Sequence, residues 1–268
     1  MVVNFTFVGG CFPVQHNIQS EDLFHQIIKR DIEKRFDCCL NVNIIRFERL
    51  ATCFDKIKEH KSKNPVDILV FHIRAEPLLR MSKLYYKFLN NEGKLRHSFN
   101  LPVVHVLNPE KYDYLVIGRR YSTNMEEVET KLHKLLLELN YYMGFLISNY
   151  KFALLSYKKL VKQVISYCKQ ENVHLILVGP ASRPHTRMEN LLSEKLHNSV
   201  LKSVDIHAVK YINGLGISDE KGESLFFENG KHANEKYHQR IARFITDELV
   251  EILESRYKKE NDSYYMTF

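Results

Sequence analysis

The feature that most constrains the fold is a series of five short apolar runs, separated by longer stretches with helical periodicity. The runs are Val2–Val8, Cys39–Arg46, Asp67–Ile73, Val173–Val178 and Val204–Tyr211. Val, Ile and Leu dominate them, which is typical of strands that are buried on both faces of a parallel sheet. The alternation therefore predicts an α/β fold, a three-layer sandwich built around a parallel five-stranded sheet.

Helical patterns fill the spaces between these runs and follow the last one. The first helix is predicted to be capped by Ser20–Asp22 and to reach about Phe36, since a serine and two acidic residues favour a helix start. The other predicted helices are Ala51–His60, a segment around Val161–Cys168, Arg187–Lys202 and Glu235–Lys258. Each has apolar residues at the spacing that places them on one face of a helix.

Residues 85–160 do not follow the alternation. They contain loop signals at Asn90–Gly93, a predicted extra strand at Leu101–Leu107, and a helical segment rich in Leu and Tyr at Met125–Tyr150. We therefore predict a single domain over residues 1–268, with a helical insertion or lid at about 85–160.

The chain of 268 residues carries a net charge of +7, which permits an acidic partner although a solvated lysine-rich surface is the simpler explanation. No basic stretch has the motifs of a nucleic-acid module. No apolar run approaches the roughly 20 residues that a membrane span needs, and the first run lacks the basic start of a signal peptide. We expect a cytoplasmic protein with no membrane span and no nucleic-acid partner; the oligomeric state is left open.

The five cysteines form no CxxC pair, and their odd number does not favour a disulfide framework. We expect no metal site and no cofactor. Cys53 and Cys168 lie in helical patterns, where packing is the expected role. Cys11 differs from them because it follows the first predicted strand directly after Gly9 and Gly10.

Several polar residues follow the carboxyl ends of the predicted strands. They are Gly10 and Cys11 after the first strand, Arg74 and Glu76 after the third, and Arg183 after the fourth. The loop that carries His232, before the last helix, projects to the same edge. Because ligand sites of open parallel sheets form at this edge, these residues are candidates for one site.

At these positions the chain resembles the SGNH (GDSL-like) hydrolase and acyltransferase superfamily. The family's Gly-Asp-Ser motif falls on Gly9–Cys11, and its Asp-Gly-x-His-x-Asn motif falls on Asn229–Asn234. A second histidine often follows six residues after the first in the family, as His238 does here. The third-strand motif Gly-x-Asn-Asp falls on Arg74–Pro77, and Val178–Pro180 resembles the end of the family's fourth strand.

The resemblance implies that Cys11 replaces the family's nucleophilic serine. His232 would then be its base, and Asn229, in place of an aspartate, would orient the imidazole. A thiol paired with an imidazole ionises near neutral pH, so it depends less on a carboxylate. The implied activity is acyl transfer, or hydrolysis of an ester or thioester, through an acyl-enzyme on Cys11. A carrier-bound or coenzyme A-bound acyl group is the expected donor, and an acidic acyl carrier protein is a candidate partner of this basic chain.

The same correspondence removes the family's oxyanion donors. Glu76 stands at the position of the asparagine, and the chain has no glycine between Gly10 and Gly93. Arg74 replaces a small residue; it would bind an anionic substrate group, stabilise the oxyanion, or pair with Glu76. Two hypotheses remain open. The chain is a Cys11 enzyme with a pocket lined by Gly10, Arg74, Glu76 and Arg183, or it is a catalytically inactive module that binds an anionic ligand or partner.

Overall fold

The structure is a computed structural model, and it describes residues 1–10, 18–47, 50–75, 150–182, 187–204, 209–217, 224–227 and 232–265. In these ranges strands and helices alternate along the chain. They are β1 (Val2–Gly9), α1 (Phe24–Phe36), β2 (Cys39–Arg46), α2 (Leu50–Lys63), β3 (Ile68–His72), α3 (Tyr150–Gln170), β4 (His174–Val178), α4 (Arg187–Leu201), β5 (Lys210–Ile212) and α5 (Glu235–Tyr265).

The five strands form one parallel sheet, as predicted, and their order in the sheet is β2-β1-β3-β4-β5. β1 pairs with β2 along its whole length, from Val2 opposite Cys39 to Gly9 opposite Arg46. The chain places β2 on one side of β1 and every later strand on the other side. The strand order therefore reverses between β1 and β3, and such reversals open a crevice at the carboxyl ends of the strands.

Two apolar cores cover the two faces of the sheet and explain the unbroken apolar runs. In β3, Ile68 and Val70 face the core formed with α1 and α5. Leu69 and Phe71 point the other way, into the core formed with α2, α3 and α4. Because side chains alternate along a strand, a strand covered on both faces is apolar at every position. The predicted three-layer sandwich is confirmed.

The first four strand predictions hold with small differences at the ends, of which the shorter β3 is one. The fifth prediction, Val204–Tyr211, holds only at its end: the described strand is Lys210–Ile212, and Val204 lies in a bend after α4. The crossover helix α3 begins at Tyr150, so residues 150–160 belong to a core helix, with Tyr157 and Leu160 buried. Residues 85–149 of the predicted insertion lie outside the described residues, and the division of the chain into one domain with an insertion stays a prediction.

The predicted cap of the first helix is wrong. Ser20–Asp22 forms a 3-10 turn, α1 begins at Phe24, and its N-cap residue Leu23 makes no side-chain hydrogen bond to the helix. Leu23 and Phe24 are buried, so the chain enters this helix through the core and not through a solvated cap. The Phe24 N–H donates to Nδ1 of His238 on α5, 3.1 Å away, which supplies an acceptor from a distant part of the chain.

A buried tyrosine on α3 fixes the chain as it leaves β3. The hydroxyl of Tyr157 accepts a hydrogen bond from the Arg74 N–H at 2.9 Å, and Tyr157 is fully buried. The preceding residue, Ile73, continues the sheet by donating to the Val178 carbonyl at 2.8 Å. The backbone that carries the Arg74 side chain is therefore held from the sheet and from the helix layer. No helix in the described part of the chain is long and apolar enough to cross a membrane.

We expect Tyr157→Phe to lower the free energy of unfolding by about 1–3 kcal/mol, because it leaves the Arg74 N–H without this acceptor. Tyr167→Phe is the matched control: Tyr167 lies ten residues further along α3, in an edge contact with the Phe54 ring. Its loss of a hydroxyl is expected to cost less than about 0.5 kcal/mol. Denaturant unfolding followed by circular dichroism measures both, and equal costs would contradict the role given to the Tyr157 hydroxyl.

Candidate active site

The structure places two predicted site residues beside the reversal point of the sheet. Gly10 follows β1, and Arg74 lies just beyond β3, its neighbour in the sheet. Cys11 comes directly after Gly10 but lies outside the described residues, as do Glu76, Arg183 and Asn229. Their assignment to the site therefore stays a prediction, while Gly10, Arg74 and His232 can be located.

The Arg74 side chain reaches across the end of β1. Its Nη2 donates to the carbonyl oxygen of Phe47, directly after β2, at 2.5 Å. Its Cζ lies 4.6 Å from the centroid of the Phe47 ring, and this ring stacks on Phe71. Because β1 lies between β2 and β3, a side chain that starts after β3 and ends at Phe47 covers the carboxyl end of β1. The aromatic stack holds the guanidinium there.

Gly10 leaves the space that the guanidinium occupies. A Cβ added at Gly10 would lie 2.9 Å from the Arg74 Cζ and 3.2 Å from its Cδ, so a larger residue cannot fit unless Arg74 moves. At these two positions the SGNH pattern has an aspartate and a small residue. This chain has the small residue directly after β1 and the large one after β3, and the two departures therefore compensate each other. The sequence shows a smaller residue at position 10 and a larger one at position 74, but only the structure shows that these two residues are in contact.

The guanidinium has an unused donor. Within the ranges that the structure describes, the Nε of Arg74 is buried and makes no hydrogen bond. A buried donor on a charged group costs free energy unless it finds an acceptor, so an unsatisfied one calls for an explanation. The alternative ion pair with Glu76 stays a prediction, because Glu76 is not described. An anionic acceptor at this edge would complete the hydrogen bonding of Arg74.

The described cysteines are poor candidates for a nucleophile. Cys53 and Cys168 are buried, and burial raises the pKa of each thiol to about 12, so both stay protonated at neutral pH. Their predicted packing role is confirmed. Cys38 precedes β2 and Cys39 is its first residue, at the edge of the sheet away from Gly10. Neither follows the carboxyl end of a strand.

His232 lies on a short paired segment that leads into α5. The Phe227 N–H donates to the His232 carbonyl at 2.9 Å, and the Asn234 N–H donates to the Leu225 carbonyl at 3.0 Å. Phe226 and Ala233 form an antiparallel bridge between these bonds. The His232 backbone is thus held by pairing with residues 225–227, and its half-buried side chain lies just before the helix.

The last residue of the His232 motif starts the helix. The Oδ1 of Asn234 accepts a hydrogen bond from the Tyr237 N–H at 3.2 Å, three residues later, as a helix N-cap does. The Nδ2 of Asn234 donates to the Ser224 carbonyl at 2.7 Å. Asn234 therefore fixes both the start of α5 and the paired segment, which explains why an asparagine two residues after His232 suits this position.

His238 links the start of α5 to the start of α1. It is fully buried in the first turns of α5, and its Nδ1 accepts the Phe24 N–H. Phe24 in turn packs on Phe7 of β1, with ring centroids 4.7 Å apart. Burial, and then the neighbouring His25, lowers the pKa of His238 to about 3, so the imidazole is neutral and can accept. The histidine that the sequence matched by spacing alone therefore joins the start of α1 to the first turns of α5.

Three solved structures resemble the whole chain. The lipase/acylhydrolase from Enterococcus faecalis is 11% identical, with 92% of this chain and 95% of that chain covered and a TM-score of 0.51. A psychrotrophic esterase from Pseudoalteromonas sp. is 11% identical, with 94% of this chain and 98% of that chain covered and a TM-score of 0.53. An acetylxylan esterase from Geobacillus stearothermophilus is 10% identical, with 90% of this chain and 91% of that chain covered and a TM-score of 0.53. The chain has the SGNH-hydrolase fold. No protein-family model matches it, and no curated protein is similar to it in sequence.

We expect the stability of the chain to fall as the pH falls below about 6.5, because unfolded His238 binds a proton that the folded form, with a pKa of about 3, excludes. Stability present above pH 6.5 is then lost at up to about 1.4 kcal/mol per pH unit. In His238→Gln the difference between denaturant unfolding at pH 7.5 and pH 5.5 should shrink. His174→Gln, at an exposed position on β4, is the control and should keep the native pH dependence.

We expect Gly10→Ala to cost about 1–3 kcal/mol of stability, because the new Cβ displaces the Arg74 guanidinium. In an Arg74→Ala background the same substitution should cost less, which gives a coupling of about 0.5–3 kcal/mol in a double-mutant cycle. Gly216→Ala is the matched control, since its added Cβ meets only ordinary contacts at 3.4 Å or more. Strictly additive costs at positions 10 and 74 would show that the two residues do not compete for one space.

Proposed function

We propose that the chain is an enzyme of the SGNH type that hydrolyses or transfers the acyl group of an ester or thioester through an acyl-enzyme on Cys11. The observation that carries the proposal is the buried hydrogen bond between Phe24 and His238. It ties α1, the first helix described after Cys11 in the chain, to α5, which begins just after His232. The fold is shared with esterases and lipases, and the Gly10–Arg74 pair lies at the carboxyl edge of the sheet.

The proposed acylation uses His232 as a general base. The imidazole takes the proton of the Cys11 thiol, and the sulfur pair forms a bond to the carbonyl carbon while the carbon–oxygen π pair moves onto oxygen. The oxyanion then re-forms the carbonyl as the bond to the leaving oxygen or sulfur breaks. The leaving group departs with that electron pair and receives the proton from the His232 imidazolium. The acyl group remains on Cys11 as a thioester.

Deacylation repeats these steps with an acceptor. His232 takes a proton from water, or from an acceptor hydroxyl or thiol in the case of transfer, and the acceptor adds to the thioester carbonyl. Collapse of the second tetrahedral intermediate expels the Cys11 thiolate, which regains its proton from His232. In this scheme Asn229 orients the imidazole, while Gly10, Arg74, Glu76 and Arg183 line the pocket. The positive charge of the chain favours a carrier-bound donor, such as one on an acidic acyl carrier protein.

Intact-mass spectrometry after incubation with a panel of acyl thioesters and activated esters tests the proposal. We expect the wild-type chain to gain one acyl group and Cys11→Ala to gain none. Cys39→Ala, which removes an exposed cysteine at the opposite edge of the sheet, should behave as wild type. His232→Ala should slow acylation by about 10²–10⁴-fold. An adduct that persists in Cys11→Ala, or no adduct with any donor, would refute the Cys11 mechanism.

The second candidate is a non-catalytic module that binds an anionic ligand, and the unused Nε donor of Arg74 favours it. This candidate predicts no acyl adduct. It further predicts that titration with succinate or inorganic phosphate gives saturable binding to the wild-type chain and none to Arg74→Met. The adduct and the titration together decide between the two functions.

A further inference from the structure

We infer that the outer groove between α2 and α3 is a docking surface for an acidic, amphipathic helix of a partner protein. This α2–α3 groove is open to solvent and measures about 580 Å³. The residues that the inference uses are Phe54 of α2 and Leu155, Lys158, Lys159, Lys162 and Tyr167 of α3. The inference does not depend on the Cys11 mechanism. It rests on the charge of α3, on the apolar side chains of the groove and on the place where the groove begins.

Positive charge is concentrated on α3 and is not compensated there. The helix contains five lysines and no Asp or Glu, whereas the whole chain has a net charge of +7. Lys158, Lys159 and Lys162 line the groove and form no ion pair within the described part of the chain. On α2, by contrast, Lys63 lies 2.6 Å from Glu59. Like charges four residues apart repel each other on a helix, so an acidic partner would stabilise this face.

Apolar side chains accompany these lysines along the groove. Phe54 and Tyr167 are half-buried and meet edge to face, with ring centroids 5.6 Å apart. Leu155 is 63% exposed, the largest exposed fraction among the large apolar side chains that the structure describes. Lys58 covers Phe54 but lies 3.7 Å from Asp55, so this pair adds no net charge. A helix with apolar residues on one side and acidic residues beside them would contact both kinds of side chain.

The groove begins level with the carboxyl edge of the sheet. The Tyr157 hydroxyl accepts the Arg74 N–H in the core, while Leu155 and Lys159 are exposed on the opposite side of the same stretch of helix. A rise of 1.5 Å per residue places them within about 3 Å of Tyr157 along the helix axis. A docked protein would therefore lie beside the edge where the site is predicted. An acidic acyl carrier protein would have the required charge.

Other polyanions would also attract the lysines, but the apolar residues favour a protein helix. Among the described residues of the groove, Leu155 is the large apolar side chain that is exposed, which is too little to insert into a bilayer. Phe54 and Tyr167 pack against each other and are not open platforms on which nucleic-acid bases could stack.

Titration of the full chain into a fluorescein-labelled helical peptide, followed by fluorescence anisotropy, tests the inference. The peptide carries leucines on one side and glutamates on both flanks, and a scrambled peptide of the same composition controls for charge alone. The groove variants are Lys158→Glu/Lys162→Glu and Leu155→Ser. The matched control is Arg30→Glu/Lys34→Glu, which reverses two exposed charges, also four residues apart, on the other side of the sheet.

We expect saturable binding of the amphipathic peptide and clearly weaker binding of the scrambled one. Lys158→Glu/Lys162→Glu should weaken binding by about tenfold or more, because two attractive contacts become repulsive. Leu155→Ser should weaken it by roughly three- to tenfold, because the apolar contact is lost. The α1 control should stay within about twofold of wild type.

Two results would show that charge alone attracts the peptide and would overturn the inference: equal binding of the scrambled peptide, or equal weakening in the α1 control. No binding of either peptide by the wild-type chain would also overturn it. If the charge-reversal variant does not fold, Leu155→Ser at its exposed position decides, and unchanged binding there refutes the docking surface. None of these outcomes affects the acyl adduct of Cys11, which tests the proposed function separately.

Parallel titrations identify a different occupant. Binding of phosphatidylserine-containing vesicles or of a short single-stranded RNA, but not of the peptide, would assign the lysines to a membrane or to nucleic acid if Lys158→Glu/Lys162→Glu abolished it. The predicted helical segment Met125–Tyr150 begins with three glutamates close together. If the peptide binds only to the variant Glu126→Gln/Glu127→Gln/Glu129→Gln, the chain's own segment occupies the groove, and the inference of a partner is wrong.

Discussion

The architecture of the site depends on one neutral imidazole in the interior. His238 accepts the N–H of Phe24, the first residue of α1, and it can do so only while it carries no proton on Nδ1. Two helices that are far apart in the chain are thereby joined beside β1, where Phe24 packs on Phe7. The edge of the sheet provides the second support, since Arg74 is fixed by Phe47, Gly10 and the Tyr157 hydroxyl.

The sequence was sufficient to predict the sheet and most of its helices, because burial on both faces leaves a continuous apolar run that little else produces. The sequence did not predict where a helix begins when contacts between residues far apart in the chain determine its start. The serine and acidic residues at Ser20–Asp22 resemble a cap, but a histidine on the last helix supplies the acceptor for Phe24. The apolar spacing of Val161–Cys168 continues back to Tyr157. The helix α3 therefore begins earlier than predicted, among residues that were assigned to the insertion.

The candidate site stays a prediction, and the contacts at its described residues were not predictable. The expectation of a site at the carboxyl ends of the strands came from the parallel sheet, and the residue matches gave Gly10, Arg74 and His232. The fit of Gly10 beneath the Arg74 guanidinium was not predictable, because the two residues belong to different strands and each looked like an isolated departure. The His238 tie escaped prediction for the same reason: spacing from His232 identifies the residue but not its partner.

The hydrogen bond between Arg74 and Tyr157 joins residues that are 83 positions apart in the chain. This contact therefore joins the chain near both ends of the long connection between β3 and α3. Because the entropy of closing a loop grows only with the logarithm of its length, each doubling adds about 0.6 kcal/mol. A change in the length of this connection therefore costs the sheet little free energy, provided that the contact between Arg74 and Tyr157 is kept.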